Sequence, residues 1–239
     1  MSGRIIRPEE TALLNFPEVG RIKIGMKSDR GYPMSLDYFR PTGKYAGLFT
    51  QKLGEKPQTL QIIFCDDNPE LVCNEHYEFR DGSGALVAKG DGRDFFVWDG
   101  KKRALFTTAD YPDIMEQISR KYAKKVRFDG DNGWDIVLTM HFIIPAINEV
   151  VGCWQFQTKG AASSIRNIRD SFDGVQILRG TVTGTVFDLS VQFAKSDKPG
   201  SASRFPVVTM IANDTRVDDI RQMIAKRQDL SLLLPGKEL

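Results

Sequence analysis

Histidine and cysteine are scarce in this 239-residue chain, with two of the first and three of the second. His76 and His141 alone leave little for general acid–base catalysis near neutral pH. The sequence also lacks a Walker loop, a Gly-x-Ser-x-Gly nucleophile elbow and a His-Glu-x-x-His metal motif. The glycines of Gly82-Ser83-Gly84 and Gly90-Asp91-Gly92 fit neither nucleotide-binding fingerprint. Enzymatic chemistry therefore has no motif behind it, and neither a catalytic residue nor a cofactor is expected.

Long apolar runs are missing as well. The longest, such as Phe142–Pro145 and Leu230–Leu234, are far too short to span a bilayer, so no membrane partner is expected. Met1–Glu10 is polar and charged, unlike a signal peptide. The odd, small set Cys65, Cys73 and Cys153 fits a reduced compartment better than a disulfide framework. A cytoplasmic protein is the expectation. What the chain does have is ordinary for a globular fold: 41% hydrophobic and 27% charged residues.

A large excess of one charge is also absent, the net charge being +2. The distribution says more than the total. From Met1 to Lys56 there are ten basic residues against six acidic ones, and from Asp66 to Asp99 three against nine. Arg120–Arg127 then carries five basic residues and no acid, with Tyr122 interleaved. Opposed patches of this kind can hold an anion on one face and a basic partner on another. Lys121, Lys124 and Lys125 read equally as a phosphate-tracking patch and as solvated cations in a last helical turn.

Alternating apolar runs predict strands at Gly20–Lys27, Thr59–Phe64, Tyr77–Arg80, Leu86–Lys89 and Phe95–Trp98. Asp81-Gly82-Ser83-Gly84 predicts a hairpin turn, and Asp91-Gly92 and Asp99-Gly100 predict further turns. Ile114, Ile118, Tyr122 and Val126 stand four apart and predict a helix within Asp110–Arg127, followed by a strand over Trp134–Ile144. The last part predicts strand Cys153–Thr158, helix Ala161–Phe172, and strands Val175–Thr183, Val186–Phe193 and Arg204–Ile211. Gly184-Thr185 would close a hairpin there, and Thr215 with Asp218 would cap a last helix through Arg227. The expected class is α+β, with a mainly antiparallel, OB-like or RRM-like sheet and helices on one face. The expected parts are a β-rich half (residues 1–98), an inserted helix and strand (99–145), and a β-α-β-β half (146–239), together one compact unit.

Gly152–Gly160 is the most informative stretch. Trp154, Phe156 and Thr158 alternate along a strand, and Lys159-Gly160 opens straight into the helix. A helix start offers backbone N–H groups without intrahelical partners at the positive end of the dipole. Lys159, Gly160 and Ser163, with Arg166 and Arg169 at helical spacing, therefore form a candidate anion site. Trp154 and Phe156 are candidates for stacking on bases, against the plainer alternative of a buried aromatic strand. Cys65, Cys73, His76 and Cys153, or His141, could supply zinc ligands only if the fold brings them together. No metal is expected, because Cys73 and His76 are the sole close pair. Asp66, Asp67, Asp91 and Asp94 lie beside turn residues, which accounts for them better than magnesium binding does.

Four segments carry a resemblance to a known family: Phe16–Gly25, Tyr32–Phe39, Lys56-Pro57 leading into Gln61–Phe64, and Gly152–Gly160 with the helix after it. Together they resemble the recombination-directionality-factor-like proteins of phages and integrative elements. The type member of that family binds a large serine integrase and redirects it from integration to excision. The resemblance implies a non-catalytic accessory factor of DNA recombination whose partner is a serine integrase or another recombination protein, with DNA contact, single-stranded ahead of double-stranded, also open. The second expectation is a single-stranded nucleic-acid-binding protein of phage replication or recombination. A metal-dependent hydrolase is the third.

Overall fold

The computed structural model describes residues 16–100, 102–122, 133–159, 161–195 and 204–213. Eight strands form one sheet: β1 (Glu18–Lys27), β2 (Pro33–Thr42), β4 (Cys73–Arg80), β5 (Leu86–Gly90), β6 (Asp94–Asp99), β7 (Lys102–Thr107), β8 (Trp134–Phe142) and β9 (Cys153–Thr158). Their order is β2-β1-β9-β8-β4-β5-β6-β7, antiparallel throughout except between β1 and β9. A second sheet of three strands has β10 (Val186–Lys195) between β11 (Arg204–Ala212) and β3 (Thr59–Ile63). The two sheets touch through backbone hydrogen bonds in both directions between Ile63 and Ile143. The class is α+β and mostly antiparallel, as the sequence predicts.

The helices are α1 (Ala46–Leu53), α2 (Pro69–Val72), α3 (Ile114–Tyr122) and α4 (Arg166–Arg179), the last entered through a π-helical turn at Ala161–Ile165. Among the described residues no helix is long and apolar enough to cross a membrane. The main core mixes residues from both ends of the chain, including Ile22, Phe39, Phe64, Phe142, Phe156, Phe172 and Phe187. A smaller core gathers Phe79, Val87, Ala88 and Phe95 under Ile114 and Ile118 of α3. The 99–145 stretch is divided by this arrangement. β7 is the sheet's outer edge, whereas β8 runs in its middle, between β9 and β4.

Several elements differ from the sequence reading. Val175–Thr183 is not a strand, because α4 continues to Arg179. Ile168, Phe172, Val175 and Leu178, all buried, are spaced four and three apart and form one helical stripe. Gly180, at φ 78°, ends the helix by donating its N–H to Gln176. Gly184-Thr185 consequently closes a loop between helix and strand rather than a hairpin. Strand β2, helices α1 and α2, and strand β7 went unpredicted. The expected last helix from Thr215 through Arg227 lies outside the described residues.

Gly20 shows how tightly β1 meets β9. A Cβ added there would lie 2.6 Å from Cζ3 of Trp154 and 2.9 Å from the carbonyl oxygen of Thr42. Any larger side chain here would run into the tryptophan ring and the Thr42 carbonyl.

Candidate functional site

Strand β9 sends its aromatic face inward. Trp154 is 1% exposed and Phe156 0%, with Trp154 packed on Phe49 at 5.4 Å and Phe156 on Phe39 at 6.0 Å between ring centroids. Neither ring is available for base stacking, and the plainer alternative is the one realised. Alternation points Gln155 and Gln157 the other way, and their amides reach His141 and Thr139 on β8.

The cations that follow are exposed but engaged. Lys159 donates to Asp135 at 2.8 Å, and Arg169 donates to Glu75 on β4 at 2.5 Å. Arg166 is exposed, and Ser163 is half-buried. Gly160 lies outside the described residues. Ser164, which is buried, accepts the backbone N–H of Val208 and ties the π turn to β11. The π turn also moves the free helix end. Ile165 is already helical where α4 begins, so the unpartnered N–H groups belong to the turn starting at Ala161, not to the arginines.

At the other basic candidate, Lys121 is exposed at the end of α3 with its ammonium 5.4 Å from the Tyr122 ring. Beside it, Arg120 is paired with Glu116 at 2.5 Å. Lys124 and Lys125 lie outside the described residues.

The thiols and acids find structural work. Among the described residues no group of three or more His, Cys, Asp or Glu side chains could hold a metal ion. Cys73 and His76, three apart on a strand, project to opposite faces. Burial first, then nearby Asp173, pushes the Cys73 thiol up to about 12. Cys65 and Cys153 meet with sulfurs 3.6 Å apart, and burial with the neighbouring thiol pushes Cys153 up to about 12. Asp66, Asp81 and Asp91 accept backbone N–H groups of their own turns. Asp67 instead latches two loops together. Its carboxylate accepts from the hydroxyls of Thr181 and Thr183 and the N–H groups of Val182 and Thr183. Desolvation works to raise its pKa, but these hydrogen bonds outweigh it and hold the group below the ordinary carboxylate range.

Two arrangements escaped the sequence reading. On β4, Asn74, His76, Glu78 and Arg80 form a hydrogen-bonded chain along one face. His76 and Glu78 are buried, 3.0 Å apart, and Arg80 closes the chain on Glu78 at 2.9 Å. The His76 hydrogen bond is the main influence holding Glu78 down to about 2, with Arg80 adding to it against desolvation. The alternation Asn-x-His-x-Glu-x-Arg was the available signal. Every member has a partner, so the chain reads as structural.

The second is the β1–β2 ribbon. Its register breaks between Lys23 and Gly25, because Leu36–Phe39 of β2 stand opposite Ile24 alone. A groove of about 820 Å³ opens at this break, lined by Lys23, Lys27, Arg40, Met34, Ser35 and Thr42, among others, and no acidic side chain lines it. Lys23 and Arg40 are direct cross-strand partners. Neither forms an ion pair among the described residues, whereas neighbouring Arg21 is held by Glu18 at 2.7 Å. The signal was the basic excess before Lys56, which no motif localised.

Comparison with known families matches residues 19–213 to the Gp3-like family, recombination directionality factor-like. The match runs from β1 to just past β11 and takes in the ribbon, the junction and the polar chain. No curated protein matches the chain, and no solved structure does. The chain belongs to the recombination directionality factor-like family.

Proposed function

We propose that this member of the recombination directionality factor-like family is a non-catalytic accessory factor of mobile-element DNA recombination. Its partner is a serine integrase, and it also touches DNA. The observation that carries this reading is the family match across residues 19–213, which spans nearly all the described structure. The chemistry of the described side chains is consistent with it. Glu78, His76, Asp67 and Asp91 are each committed to internal hydrogen bonds, so the groups best suited to catalysis hold the fold. The modest net charge of +2 suits a factor that depends on a protein partner more than on long-range attraction to DNA.

The direct test is recombination by the serine integrase encoded on the same mobile element. The integrase is incubated with its excision substrates, with and without equimolar protein. The expected result is excision only when the protein is present, together with reduced integration. Unchanged direction at all protein ratios contradicts the reading. Tight binding to single strands without any effect on an integrase would favour a strand-binding protein.

A further inference from the structure

We propose that the β1–β2 groove is a binding site for the phosphate backbone of DNA, gripped by Lys23, Arg40 and Lys27. The assignment deepens the accessory-factor reading and rests on it for the choice of DNA over other polyanions. The first support is electrostatic. Like charges directly opposite one another on adjacent strands are destabilising. The fold nevertheless holds Lys23 against Arg40, without an acid on the groove wall, although Glu18 quenches Arg21 on the same strand. An anion seated between the two would relieve that repulsion and gain from both.

The second support is shape. The groove of about 820 Å³ runs over Lys23–Lys27 and the β2 residues on either side of the register break, an extended surface on which a chain can lie. Lys23 and Lys27 are four residues apart on one strand, about 13 Å, so they offer repeated contacts along an extended polyanion. Ser35 adds a hydroxyl on the wall, whereas that of Thr42 donates to the Arg21 carbonyl. At the ribbon's far end Tyr32 is 69% exposed and Met34 46%, which supplies apolar surface beside the cations. Arginine brings planar donors for phosphate oxygens, and lysine a compact charge.

The test uses fluorescence anisotropy with a labelled twenty-base single strand and the matching duplex. Protein carrying Lys23→Glu and Arg40→Glu is compared with the unaltered chain and with a Lys159→Glu, Arg169→Glu control. The expected result is saturable binding by the unaltered chain, at least about a tenfold loss in the ribbon variant, and a change within about threefold in the control. The single substitution Lys23→Glu keeps the test informative should the double variant misfold. It sets opposite charges across the ribbon, so Tm should hold or rise while affinity falls. A purely structural role would move the two together.

The two arms show which form of DNA the groove prefers. Binding of neither form by the unaltered chain overturns the assignment, as does undiminished binding in a folded ribbon variant. If excision is stimulated while DNA binding is absent, the groove assignment falls and the accessory function stands. If the integrase is also unaffected, both fall.

Discussion

The strand–helix junction and the β1–β2 ribbon both present cations at the surface, yet they are built on opposite rules. At the junction each of two cations is met by an acid, Lys159 by Asp135 and Arg169 by Glu75. On the ribbon, Lys23 meets Arg40, another cation. A cation already hydrogen-bonded to a carboxylate gives little to a new anion, because the first partner must be displaced. The groove proposal rests on this difference: availability, rather than position at a helix start, sets which basic residues it assigns to binding.

The difference extends inward. Beneath the junction lie Trp154 and Phe156, fully committed to the core. Trp154→Ala should cost about 3–5 kcal/mol in urea unfolding, the largest effect expected here, because it empties a packed site against Phe49 and Gly20. A stability change below about 0.5 kcal/mol, accompanied by weaker DNA binding, would return this residue to a stacking surface and erase the contrast.

The polar chain on β4 makes the next largest contribution. Glu78 is depressed to about 2 chiefly by His76, so its folded-state pKa lies below its unfolded one. The stability it contributes is present above about pH 4.5 and is lost as pH falls toward 2. The loss should amount to about 3 kcal/mol over that window, measured as unfolding free energy against pH. Glu78→Gln should flatten that limb and cost about 2–4 kcal/mol at pH 7, since His76 and Arg80 lose an ionised acceptor. An unchanged acid limb in the variant would show that the chain's charge pairing does not hold the fold.

The junction's own pairing should be smaller. Lys159 and Asp135 are both partly exposed, so a double-mutant cycle on Lys159→Ala and Asp135→Ala should give a coupling of about 0.2–1 kcal/mol. A coupling near zero would mean that Lys159 is free after all, and the two basic regions would become alike.

Much of the fold was legible. Strand β9 runs over Cys153–Thr158 as read from its alternation, and the Asp81 and Asp91 turns use their aspartates as expected. Val175–Thr183 misled because Val175, Ile177 and Val182 favour a strand locally. Packing of Phe172, Val175 and Leu178 on one stripe decided for a helix. β2 escaped because Pro33 and Pro41 stand near its ends and its excursion interrupts the alternation.

The site was less legible for one physical reason. Ion pairing is long-range in sequence: Lys159 finds its acid 24 positions away and Arg169 finds one 94 positions away. No local pattern reveals that these two are quenched. Nor does any local pattern show that Lys23 and Arg40 become neighbours, because that depends on the register of β1 against β2. The sequence reading set an anion site at the helix start beside the arginines, but the π turn shifts the free N–H groups away from them.

The most direct measurement is the salt dependence of single-strand binding, taken as the slope of log affinity against log salt. Neutralising the ribbon with Lys23→Gln and Arg40→Gln should reduce that slope by about 1.4, about 0.7 for each phosphate contact removed. Neutralising Lys159 and Arg169 in the same way should leave it within error of the unaltered protein. An unchanged slope in the ribbon variant, or an equal fall in the junction variant, would contradict the claim that the ribbon offers usable charge where Lys159 and Arg169 do not.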